Sequence, residues 1–495
     1  MSEAPAGGRQ SGDDASRATA AERRILTIAI LASFVAFLDG SIVTVALPAV
    51  ERELGGGVST QQWVVDAYLI TLGAFILVAG ALSDAFGRVR ILRLGLLGFG
   101  AASLAIAVAP TAEVLIGARL AQGVAGALLV PSSLALITST FRGADQARAI
   151  GTWTAATTGA FVAGPVLGGL LTDLASWRWA FAINILPIAV TLALLRGLTA
   201  PSPSLAPQAS PATQASRAMP RARVDLPGAL LCSLGLGAAV LALIEQPRLG
   251  WGHPLVAASA ATGAAALAGF LWHESRTAHP MLPLAMFRVR NFGWGNAATT
   301  FVYGALALNG FVLGVYLQQG AGLSATQAGL ASLPITVLMI LGSSRIGALA
   351  GRRGPRAFMT AGPLIMAAGA LLLLAVDTDF AYATQALPGI LALGAGLTVT
   401  VAPLTAAVLG AIEPARSGIA SAVNNAIARI AGLITVALIG TIVGGELDLA
   451  GFHRATVVTA ALLVAGGTLA WAGIRNDAKG QESGSSEGAR RPDES

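Results

Sequence analysis

Gly80-Ala-Leu82-Ser-Asp84-Ala-Phe86-Gly87-Arg88-Val-Arg90-Ile-Leu92 is a short charged link between two long apolar runs. Charge at this density does not reside in hydrocarbon, so the chain leaves the membrane here and turns back. Far downstream, Gly347-Ala-Leu349-Ala-Gly351-Arg352-Arg353-Gly354-Pro355-Arg356 repeats the arrangement between two further apolar runs. One membrane unit is used twice.

The 495 residues are 55% hydrophobic and only 11% charged, where soluble folds carry roughly 25% charged residues. The solvent of this chain is therefore lipid. Its 60 glycines provide the small surfaces that let helices approach closely in a bilayer, where no hydrophobic effect drives them together. The single cysteine, Cys232, excludes an internal disulfide and any cysteine-based metal cluster. The one lysine, Lys479, lies in the polar C-terminal stretch. No Gly-Lys-Ser/Thr loop is therefore present to cradle a nucleotide phosphate, and no ATP-driven step is expected within the chain. The excess of +6 is arginine distributed over the ends of apolar runs, a pattern that argues against nucleic acid as a partner. His273-Glu274 has no second histidine four residues after the first, and His253, His273, His279 and His453 all fall at helix ends. No metal, cofactor or enzymatic activity is expected.

Windows of about 20 apolar residues, enough to cross a ~30 Å hydrocarbon layer as a helix, begin at Ile25, Trp63, Leu92, Ala112, Ala147, Trp179, Leu226, Pro254, Trp294, Ala325, Ala357, Ala383, Gly418 and Ala455. These are fourteen spans. Among the basic residues, Arg52, Arg178, Arg248 and Arg454 fall on one side, and Arg119, Arg345 and Arg429 fall inside spans. All the others share the side of the two tails and the Gly80–Leu92 link, which the positive-inside rule makes cytoplasmic. The expected organisation is a disordered N-terminal tail over 1–24, a six-helix half over 25–199, a Pro/Ser/Ala-rich linker over 200–223, and two extra helices over 224–275. A second six-helix half over 276–475 and a disordered tail over 476–495 complete it. Pro280 to Phe292 reads as an amphipathic stretch at the inner surface, and Cys232 as inert packing.

Several motifs coincide with one family. The link Gly80-x-Leu82-x-Asp84-x-x-Gly87-Arg88 resembles the signature loop of the major facilitator superfamily. The fourth span carries Arg119-Leu-Ala-Gln122-Gly123-Val-Ala-Gly126, and the fifth carries Gly159-x-x-x-x-Gly164-Pro165-x-x-Gly168-Gly169, similar to that family's antiporter motif. Leu38-Asp39-Gly-Ser41-Ile-Val-Thr44 in the first span and Gln62-Trp63-Val-Val-Asp66-Ala-Tyr68 in the second complete the likeness to its fourteen-helix drug:proton antiporter branch. The resemblance departs at Ser41 and Thr44, where family members commonly have Thr and Asn. It departs again at Pro187, one residue late after Trp177-Arg178-Trp179, and at Gly351, which replaces the acid corresponding to Asp84.

The resemblance implies an all-α polytopic fold of two six-helix halves plus two central helices, a substrate site between the halves, and alternating access by rocking. It implies a multi-pass protein of a bacterial inner membrane, monomeric, exchanging protons for a small amphipathic substrate. An exporter of one cellular metabolite and a non-transporting scaffold or sensor are the rival classes. Asp39 lies mid-span, where a charge needs a partner, a proton or water. Carboxyl groups without water hold a proton more readily, so Asp39 or Asp66 is the candidate proton carrier; the plainer reading has either one bonding a backbone amide. Arg119 does not lose its proton and serves as a holder of water or of a carboxylate. At the gate, Asp84 faces a helix N-terminus and Arg88 pairs with an acid near the base of the fourth span, Asp145 being the nearest. Arg90 and Arg93 only set orientation. In the fifth span the glycines and Pro165 make a close-packed, kinked face, to which the family adds a role in limiting leak. Tyr303, Asn309, Gln318, Asn424 and Arg429 are the possible cavity polar groups.

Overall fold

The structure is a computed structural model that describes residues 8–196, 225–278, 280–413 and 416–476. The side chains of residues 8–19 and of Leu77, Ala81, Asp84, Ala85, Gly143, Ala144, Ala147, Phe161, Ser417 and Gly418 are outside that description. The linker at 200–223, His279 and the tail from 477 onward also lie outside it. Every regular element among the described residues is helical.

The chain runs α1 (Gly8–Leu54), α2 (Gly57–Phe86), α3 (Arg88–Ala107), α4 (Ala112–Thr140), α5 (Gly143–Leu174), α6 (Arg178–Ala182) and α7 (Ile185–Leu195). It continues with α8 (Leu226–Leu249), α9 (Pro254–Arg276), α10 (Arg290–Gln319), α11 (Ala325–Ala331) and α12 (Leu333–Arg353). The last five are α13 (Arg356–Leu372), α14 (Leu387–Gly410), α15 (Ser417–Ala437), α16 (Ile439–Val443) and α17 (Leu449–Gly473). Thirteen stretches of described residues are long and apolar enough to cross a membrane. Helix α2, 30 residues long around the run Trp63–Leu82, brings the count to the expected fourteen. Large apolar side chains such as Leu97, Leu104, Leu174, Leu186, Ile340 and Leu341 are exposed, a surface suited to lipid and a liability in water.

The sequence expectation needs correction at its ends. Helix α1 begins at Gly8, inside the tail expected to lack structure. Most helices outrun their apolar windows because polar first and last turns project beyond hydrocarbon. Asp448, for instance, caps α17 by accepting from the Gly451 amide at 2.6 Å. The sixth span is broken between α6 and α7. Pro187 has no N–H to give the Ile183 carbonyl, which takes the Leu186 amide instead. Pro280 to Phe292 is not a surface stretch throughout: Met286 and Phe292 are buried, and Phe292 meets Phe287 edge-on at 5.3 Å. Cys232 is buried, as expected.

The chain forms two compact units, residues 1–282 with 317–330, and residues 283–316 with 331–495. In the first, Ile28, Val35, Tyr68, Leu72, Leu92, Leu96, Phe99 and Ile188 form an apolar core between α1, α2, α3, α4 and α7. The two extra helices belong to this unit: Gly263 of α9 faces the Ala239 amide of α8, and Gly237 of α8 lies against Ile70 of α2. In the second unit Gly362 and Gly369 of α13 interlock with Gly396 and Gly389 of α14, backbone against backbone. That is how small residues hold helices together in lipid.

Both repeats of the opening motif close on a glycine with positive φ, Gly87 at +92° and Gly354 at +83°. Gly351 sits inside α12, exposed and with open space where a Cβ would be. Gly351→Ala should therefore stabilise by about 0.5–1 kcal/mol, while Gly87→Ala should destabilise by about 1–2 kcal/mol. Thermal unfolding of the purified variants reads both.

Candidate functional site

The first unit holds a fully buried polar network. Helix α4 places Arg119 and Gln122 on one side, three residues apart, and α1 brings Asp39 against them. Arg119 Nη1 meets Asp39 Oδ2 at 2.6 Å and Gln122 Oε1 at 2.7 Å, and its Nε donates to the Val64 carbonyl of α2 at 2.9 Å. Gln122 Nε2 donates to Asp39 Oδ1 at 3.0 Å and to Ser103 Oγ at 2.9 Å. The break at Pro187 turns Asn184 inward, and its Nδ2 reaches Asp39 Oδ1 at 2.9 Å. The Tyr68 ring lies 4.4 Å under the guanidinium, with Phe181 at 5.7 Å. Asp39, Gln122, Ser103 and Asn184 are 0% exposed and Arg119 1%. Such a pair is held by desolvated, charge-assisted bonds, and removing either partner strands the other charge.

Asp66 is also 0% exposed, yet neither of its oxygens has a hydrogen-bond partner among the described residues. The two acids proposed from sequence thus differ in kind. Asp39 accepts from Arg119, Gln122 and Asn184, whereas Asp66 is buried with no hydrogen bond among the described residues to offset an anion's lost hydration.

The glycines of α5 divide by contact. A Cβ on Gly164 would meet Ser41 Oγ, one on Gly168 would meet Ile42 and Val45 of α1, and one on Gly169 would meet the Ala325 carbonyl. Gly159 has nothing within 4 Å and is no part of that close-packed face. Beyond Gly169, the Asp173 carboxylate accepts from the Ala325 amide at 3.1 Å and the Thr326 amide at 2.8 Å, satisfying the first turn of α11. Gly329 in turn lies against the Pro165 carbonyl. Gln318 lines a cleft of about 610 Å³ in the first unit with Pro48, Arg52, Asp173, Gln319 and Leu323.

At the link, Arg88 Nη1 donates to the Ala135 carbonyl of α4 at 3.0 Å. Asp145 pairs instead with Arg148 at 3.2 Å, both exposed. The expected Arg88–Asp145 pair gives way to these contacts, because Asp145 lies in the first turn of α5, beside its own i+3 arginine. Gly80 has open space around it, and the Asp84 side chain is outside the description. Asp145→Asn should consequently leave transport and stability within about 0.5 kcal/mol of wild type, measured by efflux rate and thermal unfolding.

In the second unit Asn424 Nδ2 donates to Asn296 Oδ1 at 2.9 Å and to Thr299 Oγ1 at 3.0 Å, joining α15 to α10. Arg429 lies within electrostatic range of Tyr303, and Asn309 sits half-buried on α10. Arg345 is exposed beside a shallow groove with Leu341 and Thr398. Sequence reasoning did not assign Ser103, Asn184, Asp173 or Asn296. It also left unassigned Glu53, which binds Trp177 Nε1 at 2.6 Å and Arg178 at 2.5 Å, although Trp177 and Arg178 were already noticed as a motif.

With this geometry in place, the sequence model of the Major Facilitator Superfamily matches residues 29–436. The chain belongs to the Major Facilitator Superfamily. As a Major Facilitator Superfamily protein it is a multi-pass membrane transporter and not an enzyme. It is 36% identical over 428 residues to puromycin resistance protein pur8 of Streptomyces alboniger, covering 85% of this chain and 81% of that one. It is 34% identical over 423 residues to multidrug resistance protein Stp of Mycobacterium tuberculosis, covering 84% and 75%. To the methylenomycin A resistance protein of Streptomyces coelicolor it is 32% identical over 451 residues, covering 90% and 89%. The fold matches a D-xylose–proton symporter with TM-score 0.64 at 16% identity, covering 92% of this chain and 98% of that one. A peptide transporter matches with TM-score 0.64 at 13% identity, covering 91% and 94%. At such identities the likeness concerns the fold alone.

Proposed function

We propose that this transporter exports amphipathic antibiotics or drugs across a bacterial inner membrane in exchange for protons, as a monomer with both termini in the cytoplasm. The observation that carries the reading is the presence of two buried acids in the first unit, Asp39 locked to Arg119 and Asp66 with no hydrogen-bond partner among the described residues. Asp66 is the group to hold the transported proton. Asp39 and Arg119 form the lock whose opening accompanies the change of access, because a proton on Asp39 would dissolve the pair at 2.6 Å. The α5 glycines against α1 and α11, tied by Asp173, serve as the outer seal that limits leak, and Arg88, at the start of α3 and bonded to the Ala135 carbonyl of α4, serves with Asp84 as the inner gate. The cavity polar groups are Tyr303, Asn309, Asn424 and Arg429, and the substrate class follows the resistance and multidrug proteins named above.

A narrower reading, export of one self-made metabolite, draws support from the single-antibiotic names of two of those relatives. One experiment tests both. The full chain is expressed in an efflux-deficient host and challenged with lipophilic cations, dyes and antibiotics, puromycin included. Everted vesicles from the same cells then report whether each protective compound dissipates a pre-formed pH gradient. Resistance accompanied by proton movement for several unrelated compounds supports drug export; for one compound only, the narrower reading; for none, neither.

A further inference from the structure

The two extra helices carry a cluster that the transport account does not use. Asp225 caps α8, its Oδ1 accepting from the Gly228 amide at 2.9 Å and meeting His273 Nε2 of α9 at 2.8 Å. Glu274, the next residue on α9, accepts the Leu282 amide through Oε2 at 2.9 Å. The Asp225 side chain is 6% exposed and Glu274 3%. This leaves one oxygen on each carboxylate, Asp225 Oδ2 and Glu274 Oε1, buried and without a hydrogen-bond partner among the described residues. The two converge: a Cβ on Gly228 would lie 2.6 Å from the first and 3.0 Å from the second, and the side chains are within hydrogen-bonding range of each other. The glycine leaves them room to meet.

Two facing acceptors with no donor between them among the described residues lack one thing, a hydrogen. No group of three or more ligating side chains is arranged to hold a metal ion among the described residues. The neighbouring Cys232 thiol, within electrostatic range of Glu274, carries no positive charge, and His273 is already committed to the other oxygen of Asp225. Two carboxylates in contact do not both ionise; they share a proton. We propose that Asp225 and Glu274 form a second proton-binding site, a carboxyl–carboxylate pair with one shared hydrogen, at the base of the extra helix pair. By the alternation of spans this is the side of the Gly80–Leu92 link. Leu282, held by Glu274, is the last residue of the first unit before the chain passes into the second. Loss of the proton would place two anions face to face and loosen the start of α8, the end of α9 and the hold on Leu282 together.

Infrared spectroscopy of the full-length protein in lipid nanodiscs near neutral pH tests this, in an Asp39→Asn/Asp66→Asn background that removes other carboxyl bands. The expected spectrum contains a protonated carboxyl C=O stretch that disappears in Glu274→Gln and in Asp225→Asn alike, because an amide hydrogen replaces the shared proton. A band that survives in either variant, or is absent before substitution, overturns the proposal. Thermal unfolding adds an independent arm. Glu274→Gln should melt with its parent, while Glu274→Ala, which leaves Asp225 Oδ2 and the Leu282 amide unpaired, should melt lower or fail to fold. Equal losses in Gln and Ala would also overturn it.

Discussion

Arg119→Ala should abolish efflux and destabilise the protein by roughly 3–5 kcal/mol, the cost of stranding one member of a buried ion pair. The Asp39 carboxylate would keep only the amides of Gln122 and Asn184, at 3.0 and 2.9 Å, in a site with no exposed surface. Arg119→Lys should not rescue. A lysine offers one point of charge, whereas the native side chain uses Nε on Val64 and Nη1 on both Asp39 and Gln122, with its plane over Tyr68. Neutralising both ends tells stability from function. Asp39→Asn combined with Arg119→Met should melt higher than Arg119→Met alone, since no charge is left unpaired, and should still not transport. Thermal unfolding and drug efflux on the same preparations decide it; an Arg119→Ala protein that melts with wild type would contradict the account.

Enlarging Gly169 has the second largest expected effect. Any side chain there runs into the Ala325 carbonyl and Thr326 Cα, and backbone does not swing away as a side chain tip does. Gly169→Leu should therefore part α5 from α11 and pull the Asp173 carboxylate off the Ala325 and Thr326 amides. Overpacking of about 1–3 kcal/mol corresponds to a roughly 5- to 150-fold shift away from the closed contact. Efflux should fall, and resting proton leak into vesicles should rise. Gly159→Ala, on the same helix but in open space, should change neither, so the pair of variants distinguishes a specific seal from a general intolerance of α5.

The extent to which these sites were readable in the sequence follows from the range of each interaction. Fourteen spans were legible because a ~30 Å slab imposes a length on every apolar run. Asp39 and Arg119 stood out because a charge inside such a run demands a reason. Their other partners gave no such signal. Ser103 is one hydroxyl in an apolar helix, and Asn184 reaches Asp39 only because Pro187 breaks the sixth span one turn away. Asp173 looked like an ordinary polar end to α5; its role depends on amides 152 and 153 residues away. The Arg88–Asp145 expectation failed for the opposite reason, since a local i,i+3 partner, Arg148, was nearer than the long-range one. The extra helices read from sequence as a separate insert. Their packing on α2 depends on small residues such as Gly237, one glycine among 60.

The central claim is that a buried acid of the first unit carries the exchanged proton, and everted vesicles test it most directly. An imposed pH gradient should drive uptake of a substrate found in the resistance panel by wild-type protein. Asp66→Asn and Asp39→Asn, singly and together, should abolish that gradient-driven uptake while leaving protein in the membrane at wild-type amount. Gradient-driven uptake unchanged in all three variants would contradict the account.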